Sequence, residues 1–102
     1  MPTDMSVSTE ILRQLGGYRF NAMTGASNFV GDTNSLTFKI GKNAKKVTHV
    51  RITLSPTDLY DVEFLRIRKL EIELISKANG VFFDQLQKIF TEHTGMDTSL
   101  QT

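Results

Sequence analysis

The sequence predicts an α+β domain with two layers: an antiparallel meander of four or five strands, and an N-terminal and a C-terminal helix packed on one sheet face. Two observations support this prediction. Apolar residues recur at helical spacing only near the two ends of the chain, and they alternate with polar residues in the segments between. The connections between these segments are short, which favours antiparallel neighbours because parallel strands need long crossovers.

The composition fits a single domain over residues 1–102. Hydrophobic residues make up 39% of the chain and charged residues 23%, which is too apolar for a disordered protein. There is no cysteine, so disulfides, thiolate metal sites and cysteine nucleophiles are excluded. The first residues do not resemble a secretory signal, and no apolar run approaches the roughly 20 residues that a membrane-spanning helix needs. A cytoplasmic location without membrane contact is therefore expected.

The first predicted element is a helix over residues 5–15, whose apolar residues fall on one face. Those residues are Val7, Ile11, Leu12 and Leu15. Gly16 and Gly17 follow, and glycine accepts the left-handed conformation that commonly ends a helix. The pattern then changes to alternation over residues 18–23, which predicts a strand with one apolar face. That face would carry Tyr18, Phe20 and Ala22.

Alternation also predicts the centre of the sheet. Small and polar residues at 24–28 predict a turn, after which Phe29 and Val30 resume the strand. The apolar positions of the next two strands are Leu36, Phe38 and Ile40, then Val50, Ile52 and Leu54. A basic loop over residues 41–46 joins these two strands. Pro56 follows the second of them and ends it, because proline lacks the N–H group that a sheet ladder needs.

The fourth and fifth strands are predicted to form a hairpin. The fourth covers residues 59–68, and its apolar face is made of Tyr60, Val62 and Phe64. Leu65 breaks the alternation and Ile67 is in phase with Leu65, which indicates either a bulge or apolar contacts on both faces. A tight turn near Arg68 and Lys69 leads to the fifth strand, whose apolar residues are Leu70, Ile72 and Leu74.

A C-terminal helix is predicted after the turn signal at Asn79-Gly80. It starts at Val81 and is ended by Gly95. Its apolar face consists of Phe82, Leu86, Ile89, Phe90 and His93. Residues 96–102 are expected to form a frayed tail. The inward faces of sheet and helix should meet in a core that contains Phe38, Ile52, Phe64, Leu86 and Phe90.

Charge is unevenly distributed although the net charge is only +1. Residues 39–69 contain eight basic and three acidic residues, a net charge of +5, whereas the segments before and after carry −1 and −3. The middle third is therefore a candidate electropositive region for phosphates. The alternative is a solvated rim whose charge is balanced by acidic neighbours in the fold. The candidate nucleic-acid contacts are Lys39, Lys42, Lys45, Lys46, Arg51, Arg66 and Arg68.

The sheet face opposite the helices is predicted to mix polar, basic and a few apolar residues. On its first strand it would carry Arg19, Asn21 and Met23. Met23, Leu65 and Ile67 are the candidate protein interface, since exposed apolar residues indicate a surface that another chain or a second copy covers. No aromatic ring is expected on this face to stack bases as single-strand binders do. The alternative is an ordinary solvated sheet face.

No catalytic or metal-binding motif is recognisable. The two histidines, His49 and His93, lack the spacing of a zinc site. His93 is expected to be a structural residue near the end of the last helix, and His49 a surface residue. Two pairs of carboxylates stand two residues apart, as on the solvent face of any antiparallel sheet: Asp61 with Glu63, and Glu71 with Glu73. No cofactor and no metal are predicted.

Five segments of the chain carry a resemblance to known proteins: LGGYRF at 15–20, AMTGA at 22–26, VRITL at 50–54, YDVEF at 60–64, and the final helix with FDQL at 83–86. Together they resemble a family of small proteins encoded by bacteriophages and mobile genetic elements. The resemblance spans nearly the whole chain, and MTGA at 23–26 is its most specific part. It implies a bacterial host cytoplasm as the setting, and it assigns no site residue.

Three classes of function remain open at this point. The first is a non-enzymatic accessory protein that binds nucleic acid or a protein through its sheet face and basic loop. The second is an inhibitor of a host factor, such as a defence system, or a homo-oligomeric accessory protein. The third is a small enzyme. A basic patch that continues across strands would favour nucleic acid, whereas a flat apolar patch would favour a protein partner.

Overall fold

The computed structural model describes residues 6–96, which form three α-helices and a five-stranded sheet. In chain order the elements are α1 (Ser6–Leu15), α2 (Tyr18–Thr24), β1 (Ser27–Gly31), β2 (Ser35–Lys39), β3 (His49–Leu54), β4 (Tyr60–Arg68), β5 (Glu71–Val81), a 3-10 turn (Phe83–Gln85) and α3 (Leu86–Thr94). The strands lie side by side in chain order, and each is antiparallel to the next. The predicted α+β meander is confirmed.

The core lies between the sheet and the helices. The predicted core residues are all buried in one cluster: Phe38, Ile52, Phe64, Leu86 and Phe90. Ile11 and Leu15 of α1 join the cluster and are fully buried. The ring of Phe90 meets the ring of Phe20 edge-on, with centroids 4.9 Å apart, and Phe20 meets Phe38 in the same way at 5.5 Å. Edge-to-face packing of this kind stabilises aromatic pairs beyond their area.

Residues 18–23 form a helix, α2, and the predicted strand there is wrong. Gly17 adopts a positive φ of 59°, which reverses the chain after α1, and the Asn21 N–H donates to the Gly17 carbonyl at 3.1 Å. The alternation that predicted a strand extends over six residues only, and Phe20 and Thr24, four positions apart, are the buried ones. Tyr18, predicted to point inward, is 85% exposed.

The fifth strand is longer than predicted and contains two irregularities. It runs through Gly80 to Val81, so Asn79-Gly80 marks a register shift within the strand and not its end. The other shift lies between Phe64 and Leu65 of β4, where a bulge was predicted. The extra residue there belongs to β5, because Phe64 pairs with Ser76 and Leu65 with Leu74.

The C-terminal helix begins later than predicted. Val81 still belongs to β5, and Phe82, predicted on the apolar helix face, is exposed. Gly95 ends α3 as predicted, and its N–H donates to the Thr91 carbonyl at 2.8 Å. Met96 packs against the core, and the rest of the predicted tail lies outside the described residues. Within residues 6–96 no helix has the length and apolar character needed to cross a membrane.

Candidate nucleic-acid interface

The loop between β2 and β3 is held in shape by the side chain of Asn43. Its Nδ2 donates to the carbonyls of Gly41 and Val47 at 3.0 and 2.7 Å, and its Oδ1 accepts from the Val47 N–H at 3.0 Å. One amide side chain therefore satisfies three backbone groups, using its donors and its acceptor together. The lysine-rich loop thus has a defined conformation.

Two contacts fix this loop to the rest of the fold. The N–H of Gly41 donates to the carbonyl of Thr24, the last residue of α2, at 2.8 Å. A Cβ at position 41 would lie 3.2 Å from that oxygen, so the close approach favours glycine. At the far end of the loop Val47 is buried in the core. The lysine-bearing loop is therefore anchored at both ends.

Thr48 connects the loop to β4. Its N–H donates to the Leu65 carbonyl at 2.8 Å, and its Oγ1 accepts from the Ile67 N–H, also at 2.8 Å. The regular β3–β4 pairing starts one residue later, at His49 opposite Leu65. The threonine hydroxyl therefore supplies a partner for β4 where the backbone of β3 no longer can. This contact holds the end of β4 beside the loop.

A groove of about 610 Å³ opens between this loop and the end of β4. Ten residues line it, none of them acidic and none aromatic. Five of the ten are cationic and come from three separate segments: Lys39 at the end of β2, Lys42 and Lys46 in the loop, and Arg66 and Arg68 in β4. We call this feature the cationic groove. The fold thus brings together five of the seven residues predicted to contact nucleic acid.

The five cations of the groove form no ion pair with any described residue, although Arg66 and Arg68 lie opposite Glu73 and Glu71 in the β4–β5 ladder. Of residues 6–96, only Arg13 and Glu10 on α1 form an ion pair. Burial, and then the positive charge of Lys39, lower the pKa of His49 below its ordinary value. The fold therefore favours the neutral imidazole of His49, whose Nδ1 lies 2.8 Å from the Thr48 hydroxyl. Burial is thus the main reason for the depressed pKa, and the nearby charge of Lys39 adds to it.

Two predicted cations lie outside the groove lining. Lys45 is exposed on the same loop, and Arg51 is exposed on β3, where it pairs with Glu63 across the ladder. The sequence reasoning also missed two residues. Asn43 sets the loop conformation, and its signal was an asparagine within a short loop of glycine, alanine and lysine, where side-chain bonds to the local backbone are common. Lys69 extends the positive charge into the β4–β5 turn.

The three residues predicted as a protein interface do not share one sheet face. Met23 lies on α2, because residues 18–23 are helical, so its predicted position on the sheet is wrong, as are those of Arg19 and Asn21. Leu65 and Ile67 are half-buried and lie opposite Leu74 and Ile72 in the β4–β5 ladder. Aliphatic side chains paired across strands shield one another, which accounts for their partial burial.

The described residues contain no cluster of three or more side chains that could hold a metal ion. His93, the second histidine, has structural contacts. Its Nδ1 lies 2.8 Å from the Ser76 hydroxyl, and its ring stacks on Phe64 with centroids 4.6 Å apart. These contacts tie α3 to the sheet, which agrees with the structural role predicted for His93.

No family model, curated protein or solved structure matches this chain. The resemblance to phage and mobile-element proteins therefore stays a prediction. The function of the cationic groove has to be inferred from its geometry and charge.

Proposed function

We propose that the protein is a non-enzymatic accessory factor, of a phage or mobile element, that binds the phosphate backbone of nucleic acid in its cationic groove. One observation carries the proposal: five lysines and arginines from three segments line a groove whose ten lining residues include no acidic side chain. Clustered lysines and arginines are the electrostatic signature of phosphate contacts.

The conformation of the loop supports binding of this kind. Asn43, Gly41 and Thr48 hold the loop before any ligand arrives. A preformed site avoids part of the entropy loss on binding. The groove also combines both kinds of cation, since lysine acts as a point charge and arginine can hold two phosphate oxygens at once.

Double-stranded nucleic acid fits this groove better than a single strand. Single-strand binders stack unpaired bases on aromatic rings, and no lining residue is aromatic. The exposed aromatic residues of the described chain, Tyr18, Phe29, Phe82 and Phe83, all lie outside the lining. Phosphate contacts without stacking are sufficient for a duplex, whose bases are already stacked.

Fluorescence anisotropy with a labelled duplex, measured across a series of salt concentrations, tests the proposal. The double variant Lys42→Gln/Lys46→Gln should weaken binding to every sequence and reduce the log–log salt slope by about 0.9 for each phosphate that the variant no longer neutralises. The matched control is Lys77→Gln/Lys88→Gln, which removes the same charge from exposed positions on β5 and α3. An equal loss of affinity in the control, or no duplex binding by the wild type at low salt, would refute the proposal.

A protein-directed function is the second candidate, favoured by the aliphatic pairs Leu65–Leu74 and Ile67–Ile72. Ile72 is 70% and Leu74 51% exposed. If a second copy covers them, the wild type should sediment as a dimer and Ile72→Lys/Leu74→Lys as a folded monomer. Val30→Lys, at an exposed position on the opposite edge strand, is the control. A wild type that is monomeric at high concentration excludes the homo-oligomer.

A further inference from the structure

The β4–β5 hairpin extends beyond the rest of the sheet. Pairing with β3 ends at Leu65, and the Thr48 hydroxyl makes the last bond at Ile67. From Arg66 to Arg68 the strand pairs only with Glu71–Glu73 of β5. We call residues 66–73 the ribbon. Its three extended residues on each side span about 10 Å.

A fully exposed leucine forms the tip of the ribbon. Leu70 is 100% exposed, and the turn it shares with Lys69 is a position where glycine, asparagine or aspartate is common. Lys69 adopts a positive φ of 52°, so the turn does not follow the usual residue preferences. Neither core packing nor turn geometry accounts for a leucine at this position.

The tip is continuous with the cationic groove. Arg68 lines the groove and also the smaller concave surface that it forms with Lys69, Leu70 and Glu71. A duplex whose phosphates follow the groove as far as Arg68 would therefore reach the surface that Leu70 lines. An apolar side chain at the end of a row of cations is unfavourable for a small anion, and it suits a ligand with apolar surface between its phosphates.

We infer that Leu70 inserts as an apolar wedge into the minor groove of a DNA duplex and kinks it. The inference rests on the proposed function, because the cationic groove must first hold the duplex. Minor-groove proteins frequently insert leucine or similar residues between base steps, which unstacks the bases and bends the duplex. The minor groove of B-DNA is about 7.5 Å deep, so the ribbon is long enough to bring Leu70 to the base edges.

Affinity and bending reside in different parts of the molecule. Within the ribbon, Arg66 lies opposite Glu73 and Arg68 opposite Glu71, so Lys69 is its only charge without a counterpart across the ladder. The loop lysines therefore supply most of the electrostatic affinity, whereas the ribbon determines the shape of the bound duplex. A change at Leu70 should affect bending and leave the salt slope unchanged.

The test is the end-to-end distance of a doubly labelled duplex, measured by resonance energy transfer with protein at saturation. The wild type should bend the duplex by an angle in the range of about 20–90° that such wedges produce. Leu70→Ala should retain the salt slope and abolish the bend. Ile72→Ala, an exposed aliphatic residue of the same ribbon, should bend the duplex as the wild type does.

Tryptophan fluorescence gives an independent readout. The chain contains no tryptophan, so Leu70→Trp places a single fluorophore at the tip, and its emission should be quenched by base stacking when the duplex binds. Ile72→Trp should change much less.

The outcomes separate the two proposals. A wild type that binds the duplex without bending it, or a Leu70→Ala protein that bends it normally, would overturn the wedge and leave the groove intact. Absence of duplex binding would overturn both.

Discussion

The two halves of β4 have the same strand geometry but different surroundings. In the first half Tyr60, Val62 and Phe64 alternate with polar residues and are buried against the helices. In the second half the same phase continues with Arg66 and Arg68, which line the cationic groove. The core face of the strand thus becomes a cationic surface where helix coverage ends.

The chain beside β4 changes in the same way on the β2 side. Leu36, Phe38 and Ile40 are buried at alternate positions, and Lys42 follows Ile40 at the same spacing. Before β3 the alternation is interrupted, because Val47 is buried and Lys46 has a positive φ of 61°. The groove therefore borders the end of the core face, and the loop brings Lys46 to it.

Substitutions in the buried core should lower the free energy of unfolding more than substitutions elsewhere. Phe90 is 1% exposed and packs against Phe20 and Phe64, so Phe90→Ala should lower the free energy of unfolding by roughly 3–5 kcal/mol through reduced burial and a residual cavity. Denaturant titration measures this decrease. Phe83→Ala, at an exposed position, should cost less than about 1 kcal/mol. A similar decrease in the two variants would contradict the assigned core.

How far the sequence predicts this molecule depends on how long each pattern is. The strands around Phe38, Ile52 and Phe64 were predicted because alternation persists where a helix covers one face. Over residues 18–23 the alternation covers only six positions, which is too short to distinguish a strand from a helix. The segment is helical, and the Asn21 N–H donates to the Gly17 carbonyl. The basic residues were found from charge alone. Their convergence was not predictable, because it depends on a loop conformation that Asn43 sets through three bonds.

The conformation of the loop beside the groove should depend on Asn43. Asn43→Ala leaves two carbonyls and one N–H of the loop without their partner, and we expect a decrease of about 1–3 kcal/mol in unfolding free energy. Duplex affinity should fall as well, although no charge is removed. Asn79→Ala, at an exposed position, is the matched control for both measurements. If Asn43→Ala binds the duplex as tightly as the wild type, the loop conformation is unimportant for the site.

In the ribbon, removing acidic side chains should change the affinity for a duplex. Glu71 and Glu73 lie opposite Arg68 and Arg66, and their carboxylates repel the phosphates of a duplex that approaches the groove. Glu71→Gln/Glu73→Gln should therefore strengthen duplex binding severalfold at low salt, and the gain should shrink as salt screens it. Glu92→Gln, at an exposed position on α3, should have little effect. Unchanged affinity in the double variant would place the duplex away from the ribbon.

The smallest expected effect concerns His49, which lies opposite Leu65 at the boundary between the two halves of β4. Burial and Lys39 lower the pKa of His49, so the folded state disfavours the imidazolium form. Stability from this residue is present above the unfolded pKa of about 6.5 and is lost as pH falls below it, because the unfolded chain then takes up the proton more readily. His49→Gln should reduce the dependence of unfolding free energy on pH in that range.

Phosphates bound beside Lys39 would offset its charge, so the pKa of His49, followed by NMR, should rise when duplex DNA is added. A pKa that stays constant while the duplex binds would place the phosphates away from Lys39.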